Sequence, residues 1–283
     1  MRELTDGRTL RRNVSKADAQ YLENRLREGQ ERFFSQCHKK NANQKQSRGK
    51  SLGEREENLI ETVTADNKKA NTVVYTVAEE WLNRITHVIG GIISIAGAVF
   101  LLMKVFSSQI NGVQKAVCVL FAFSMIAFFT FSVIHHFQPV GERRLLFRKI
   151  SRCASSAFAV CSFLPLLHFT VFPVSVPWAI SLTAVTTVLA ITGGAINAID
   201  VNKYKMHCLV VYIVMALAFV IRVDLLASNK YAFILYLSGT ATYALGVVFY
   251  RLTKIKGHHA IWHALATISS ALHYLAIYFY LIP

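Results

Sequence analysis

From about residue 85 onward, apolar residues dominate in seven runs separated by short polar connections. The runs fall at about 85–106, 112–137, 150–172, 176–198, 206–223, 230–250 and 259–282, each near the ~20 apolar residues that a membrane-crossing helix needs. The pattern predicts an all-α, seven-transmembrane-helix bundle. Earlier residues read differently. After a basic, unpatterned stretch to residue 14, Ser15 and Asp18 mark a helix start, and Leu22, Leu26 and Phe33 follow at four- and seven-residue spacing. A short amphipathic helix is predicted there, able to touch the membrane surface or a partner. Residues 38–53, rich in Lys, Asn, Gln, Ser and Gly, bury too little apolar surface to offset the entropy of ordering and are expected to be a disordered linker. Two regions result: a polar, largely disordered tail over 1–72 and a membrane domain over 73–283. Trp81 suits a headgroup-level position at the start of the first helix.

Charge adds an orientation. Of 31 Lys and Arg and 16 Asp and Glu, 16 and 13 lie in residues 1–80, which leaves Glu142, Asp200 and Asp224 as the only acidic residues beyond. Such a remainder is no ordinary soluble domain, so the net charge of +15 reports membrane orientation, with no nucleic-acid partner expected. Arg143, Arg144, Arg148 and Lys149 in the second connection, Lys203 and Lys205 in the fourth, and Arg251, Lys254 and Lys256 in the sixth fall on the side of the tail. Short cytoplasmic loops concentrate Lys and Arg, so the expectation is N-terminus cytoplasmic and C-terminus extracytoplasmic. That orientation excludes G-protein-coupled receptors, and the lack of a lysine within the last run excludes retinal proteins. The first apolar run is itself expected to act as the targeting signal. Five cysteines without a CxxC pair read as buried or lipid-facing thiols.

Candidate chemistry gathers at one level. With the expected orientation, the second helix ends at Ser132, His135 and His136 on the cytoplasmic side, where the third begins with Ser151 and Arg152 and the seventh with His259 and His263. The first helix starts there with Glu79, Asn83 and His87, and the fourth ends near Asp200. His259 and His263, four apart, share a helix face. Three imidazoles suit zinc, which in catalytic sites leaves a fourth position for water. The best trio is His136, His259 and His263, with Ser132 one turn before His136 on the same face. His273 lies about 15 Å beyond His263 along the helix, too far for the same metal. It and His168 are expected to be satisfied separately. Gly90, Gly91, Ser94 and Gly97 read as a close-packing face.

These residues in this order resemble the haemolysin III and progestin/adipoQ receptor family, which includes the adiponectin receptors. The matching pieces are Glu79–Gly90 with its Glu-Glu-x-x-Asn-x-x-Thr-His pattern, Ser132-x-x-x-His136-Phe137, Pro165, and His259-x-x-x-His263 with His273 beyond. The resemblance covers residues 79–282 and implies a seven-helix bundle holding zinc through His136, His259 and His263. It also implies one of several roles: a ceramidase-like hydrolase of lipid amides, a receptor for a lipid or protein ligand, a membrane-homeostasis protein, or a haemolysin-like cytolysin. A departure bears on catalysis. Where the family has Asp fourteen residues before the proline, this chain has Ser151, followed by Arg152. A serine hydrogen-bonds water but does not take its proton at neutral pH. Ser132 and Ser151 are therefore the candidate catalytic residues, Asp200 or Glu142 are alternative bases and Cys153 an alternative thiolate, and whether the chain is an enzyme stays open.

Overall fold

The computed structural model describes residues 24, 25, 27–29, 31, 75–139, 141–218 and 220–283. The chain divides into two compact units, Met1–Ala78 and Glu79–Pro283. In the first, residues 24, 25, 27–29 and 31 are helical, inside the expected amphipathic helix. Its apolar positions Leu22, Leu26 and Phe33, and the 38–53 linker, lie outside the described residues.

The membrane unit is built from seven principal helices: α1 (Val77–Ser107), α2 (Gly112–Phe137), α3 (Glu142–Leu166), α4 (Val176–Asp200), α5 (Lys205–Ala218), α6 (Lys230–Arg251) and α7 (His258–Ala276). Six are long and apolar enough to cross a membrane, and α5 is a shorter apolar helix. No strand occurs among the described residues. The chain is thus an integral, multi-pass membrane protein. Its outer surface agrees: Ile92, Phe106, Phe123, Ile191 and Phe279 are all exposed, a surface that only lipid covers without cost.

Local sequence explains the helix starts. Asn111 accepts from the Gln114 N–H while Gln114 reaches back to the Asn111 N–H, a reciprocal cap for α2. Asn229 accepts from the Ala232 N–H at the start of α6. Gly257, before α7, has φ +71°, a left-handed conformation that an L side chain strains. Its N–H donates to Glu79 Oε1 at 3.0 Å.

Two boundaries differ from expectation. Helix α3 begins at Glu142 rather than near residue 150, because Arg143, Arg144, Arg148 and Lys149 are good helix formers whose charges lie outside the apolar window. Helix α5 stops at Ala218 instead of about 223, followed by a 3₁₀ turn, Val220–Arg222, and a short helix, Val223–Leu226. Arg222 donates through Nε and Nη2 to both carboxylate oxygens of Asp224, at 2.9 and 2.7 Å, and holds that carboxyl below its usual range. Residues two apart face away from each other on a helix, so this fork requires the break.

The core stacks Phe128 on Phe158 at 5.4 Å, with Phe121, Leu101, Leu166, Leu167 and Tyr236 fully or almost fully buried around them. Pro165, which has no N–H, is buried within α3 just before the chain widens into a π turn, Leu167–Val171. At the far end of α1, Lys104 Nζ donates to the carbonyls of Tyr278 and Ile282 at 2.7 and 2.8 Å, tying α1 to the π turn Ile277–Leu281 after α7. Lys104→Met should lose both charged bonds and lower stability by about 1–2 kcal/mol at this half-exposed position. Thermal unfolding of the detergent-solubilised variant checks this, and an unchanged midpoint would refute it.

Candidate metal centre

At the end of the bundle where α1 and α7 begin and α2 finishes, four imidazoles converge. One nitrogen each from His87, His136 and His263 lies within 4.8 Å of the others, and all three residues are buried. The His87 and His263 ring centroids are 3.7 Å apart, and His87 stacks against His136 at 5.0 Å. His259 stands beside them, 4.2 Å from His263 and 5.3 Å from His136, and is itself buried. The expected trio of His136, His259 and His263 is therefore gathered at one place, and α1 adds His87 from the opposite wall.

Both ring nitrogens of His87 and both of His263 are buried with no hydrogen-bond partner among the described residues. An unsatisfied buried polar atom costs about 1–3 kcal/mol, and each ring offers one of its two nitrogens as a ligand atom, so His87 and His263 each have an unpartnered nitrogen that a metal ion could satisfy. Two nitrogens on one tetrahedral zinc, at ~2.0–2.1 Å each, stand ~3.4 Å apart, so side-chain rotations of about an ångström close the trio onto an ion. The all-imidazole donor set suits zinc or another borderline transition metal.

The surrounding charges hold these rings. Glu80, buried, accepts from Arg144 Nη2 and places its second oxygen 3.5 Å from His136 Nδ1. A carboxylate behind a ligand histidine fixes its tautomer and turns its other nitrogen toward a metal. Arg84 Nε donates to the His136 carbonyl at 3.0 Å while its guanidinium lies over Trp81 at 5.3 Å and Phe137 at 5.2 Å. This side chain closes the C-terminus of α2 and docks it on α1. Of the two adjacent histidines only His136 faces inward; His135 Nδ1 donates to the Arg144 carbonyl at 3.1 Å.

The sequence model of a family described as haemolysin-III related matches residues 75–274. The chain belongs to the haemolysin-III related family. It is 27% identical over 220 residues to Hemolysin-3 of Bacillus cereus, an alignment covering 76% of this chain and 98% of that protein. It is also 29% identical over 210 residues to the Hemolysin-3 homolog of Bacillus subtilis strain 168, covering 73% of this chain and 96% of the relative.

In this haemolysin-III chain the two candidate catalytic serines meet: Ser132 Oγ and Ser151 Oγ are hydrogen-bonded at 2.8 Å, one turn before His136. The alternative bases lie elsewhere. Asp200 Oδ1 accepts from the N–H groups of Asn202 and Lys203 at the end of α4, and Glu142 is exposed in the first turn of α3. Cys153 Sγ donates to the Gly194 carbonyl at 3.3 Å, and Cys118, Cys153, Cys161 and Cys208 are all free thiols. His273 Nε2 donates to the Tyr236 carbonyl at 3.2 Å and His168 stacks on Phe172, so the two serve separate contacts.

Sequence spacing left two members of the centre in the background. His87 was visible at the right level but has no histidine partner on its own helix. Glu79 precedes Asn83 and His87 at four-residue steps, yet the buried carboxylate beside them is Glu80, while Glu79 accepts from the Gly257 N–H. At about 100° per residue, positions 80 and 87 fall about 20° from register and 79 and 87 about 80°, a difference that an i, i+4, i+8 pattern hides.

Proposed function

We propose that this protein binds one zinc ion at the imidazole cluster and hydrolyses the amide bond of a ceramide-like membrane lipid. The observation that carries the reading is the buried cluster itself, in which His87, His136 and His263 each offer one nitrogen within 4.8 Å of the others and the rings of His87 and His263 have no other partner among the described residues. Zinc there would polarise the amide carbonyl and supply hydroxide near neutral pH, where bound water has a pKa of about 7. His136 and His263 hold it together with His87 or His259, and Glu80 orients His136. The hydroxyls of Ser132 and Ser151 stand beside His136 as hydrogen-bonding groups for a substrate oxygen. The basic residues Arg143, Arg144, Arg148 and Lys149 at this end of the bundle favour its placement on the cytoplasmic side. The test is release of fatty acid and free amine from a short-chain ceramide by the purified, zinc-loaded protein. Turnover that disappears in His136→Ala is expected, and a zinc-loaded, folded protein that releases neither product overturns the proposal.

One observation favours a second reading, a receptor or membrane-homeostasis protein that keeps the zinc without catalysis. Ser151 stands where the resemblance expects aspartate, its hydroxyl is bonded to Ser132, and neither Asp200 nor Glu142 reaches it. On that reading the wild type is inactive and Ser151→Asp gains hydrolysis; wild-type turnover excludes it.

A further inference from the structure

Asn83 is 1% exposed, and neither its Nδ2 nor its Oδ1 has a partner among the described residues. Other buried polar side chains of the bundle close bonds within their own helices. Asn197 Nδ2 donates to the Gly193 carbonyl at 2.8 Å, and Thr170, Thr186 and Ser270 each donate one turn back. The Asn83 side chain makes no such bond among the described residues, although its main-chain carbonyl accepts from the Thr86 hydroxyl. A buried carboxamide with both ends unmet is costly unless a ligand meets them.

Its place in α1 says where that ligand lies. Glu80, Asn83 and His87 form one buried stripe, with Asn83 about 60° around the helix from Glu80 and about 40° from His87. Both neighbours meet the same ring: Glu80 Oε2 lies 3.5 Å from His136 Nδ1, and the His87 ring centroid is 5.0 Å from that of His136. Along the axis Asn83 stands between them, about 4.5 Å of rise from Glu80 and about 6 Å from His87. It therefore belongs to the length of α1 that packs on His136, in the wall of the imidazole cluster. Its chemistry says what it takes. A carboxamide offers N–H donors and a carbonyl acceptor. An ester or a carboxylate brings only acceptors and leaves Oδ1 unmet, whereas an ammonium group brings only donors and leaves Nδ2 unmet. A secondary amide supplies an N–H for Oδ1, and its carbonyl or a hydroxyl beside it supplies an oxygen for Nδ2.

We propose that Asn83 reads the amide of the ligand at the metal centre, Oδ1 accepting the amide N–H and Nδ2 donating to a ligand oxygen, so that the site selects amides over esters of the same shape. A site built to hydrogen-bond a polar group rejects the analogue that lacks it, because its own buried group is then left unpaired. This rests on the reading of the cluster as a metal centre, and it holds whether the amide is cleaved there or only bound.

Acetohydroxamic acid and its N-methyl form are metal-binding amides that differ only in whether the nitrogen carries hydrogen or methyl. Each is titrated into the cobalt-loaded, detergent-purified full-length protein and followed by the visible absorption of the metal, a readout that needs no turnover. The wild type should bind the N–H form roughly tenfold more tightly, a difference equal to about 1.4 kcal/mol. Asn83→Leu, close in size but without polar atoms, should bind the two about equally at unchanged cobalt content. Asn83→Ala carries the same comparison if the leucine variant fails to fold. Equal binding by the wild type, the result if Asn83 only holds a water, overturns the proposal, and so does a wild type that takes up no cobalt. A preference that survives in the variants, with or without a general loss of affinity, marks a steric or structural effect and overturns it too. An N–H preference without ceramide hydrolysis removes the hydrolase reading and keeps Asn83 as the amide reader; hydrolysis with equal binding does the reverse.

Discussion

Replacing His263 with alanine should strip the protein of zinc. His263 belongs both to the trio whose nitrogens lie within 4.8 Å and to the one expected from spacing, and so does His136. Zinc held by a structural site is worth about 10–16 kcal/mol in all, so one lost imidazole removes about 3–4 kcal/mol, or roughly 10²–10³-fold in affinity. Elemental analysis of the detergent-purified proteins should give about one zinc per wild-type chain and almost none in His263→Ala or His136→Ala. His87→Ala and His259→Ala then identify the third nitrogen. Full zinc occupancy in His263→Ala at limiting metal would refute the centre. Removal of the imidazole also empties a fully packed position, so circular dichroism must show the variants still helical.

The second large effect falls on a residue that touches no metal. Glu80 is the buried carboxylate shared by Arg144 and His136. Glu80→Ala leaves a largely buried guanidinium without this partner, a loss of about 3–5 kcal/mol when one member of a buried pair is removed. It also frees His136 to rotate, and loss of such a carboxylate behind a ligand histidine costs about 10–100-fold in metal affinity. Glu80→Gln separates the two, since the amide keeps the shape and one hydrogen bond while removing the charge. Thermal unfolding of the metal-free proteins reads the first term and zinc competition with a chelator the second. Wild-type values for Glu80→Ala in both would sink the assignment.

Most of the bundle was legible because bilayer-spanning helices announce themselves by apolar length, and loop composition separates them. What the chain does not announce is register between helices. His259 and His263 declare a shared face by lying four apart, and His136 joins them through its place at a helix end. His87 enters the cluster only because α1 packs its Glu80, Asn83, His87 and Gly90 stripe inward, a choice made by tertiary packing. Ser132 and Ser151 were singled out individually, but their mutual hydrogen bond depends on how the end of α2 meets the start of α3. The early end of α5 was hidden for another reason. Val220, Ile221 and Val223 continue the apolar run through the 3₁₀ turn, where Arg222 forks onto Asp224 and lies over the Trp178 ring.

That early end has a consequence for the lipid around the protein. Helix α5 has 14 residues, about 21 Å of rise, against a hydrocarbon layer of about 30 Å. The shortfall on this flank is met by thinning the neighbouring leaflets or by drawing polar turns inward, each at a fraction of a kcal/mol per ångström. Short-chain or loosely packed lipids should therefore gather beside α5, and the protein should partition away from thick, sterol-rich bilayers.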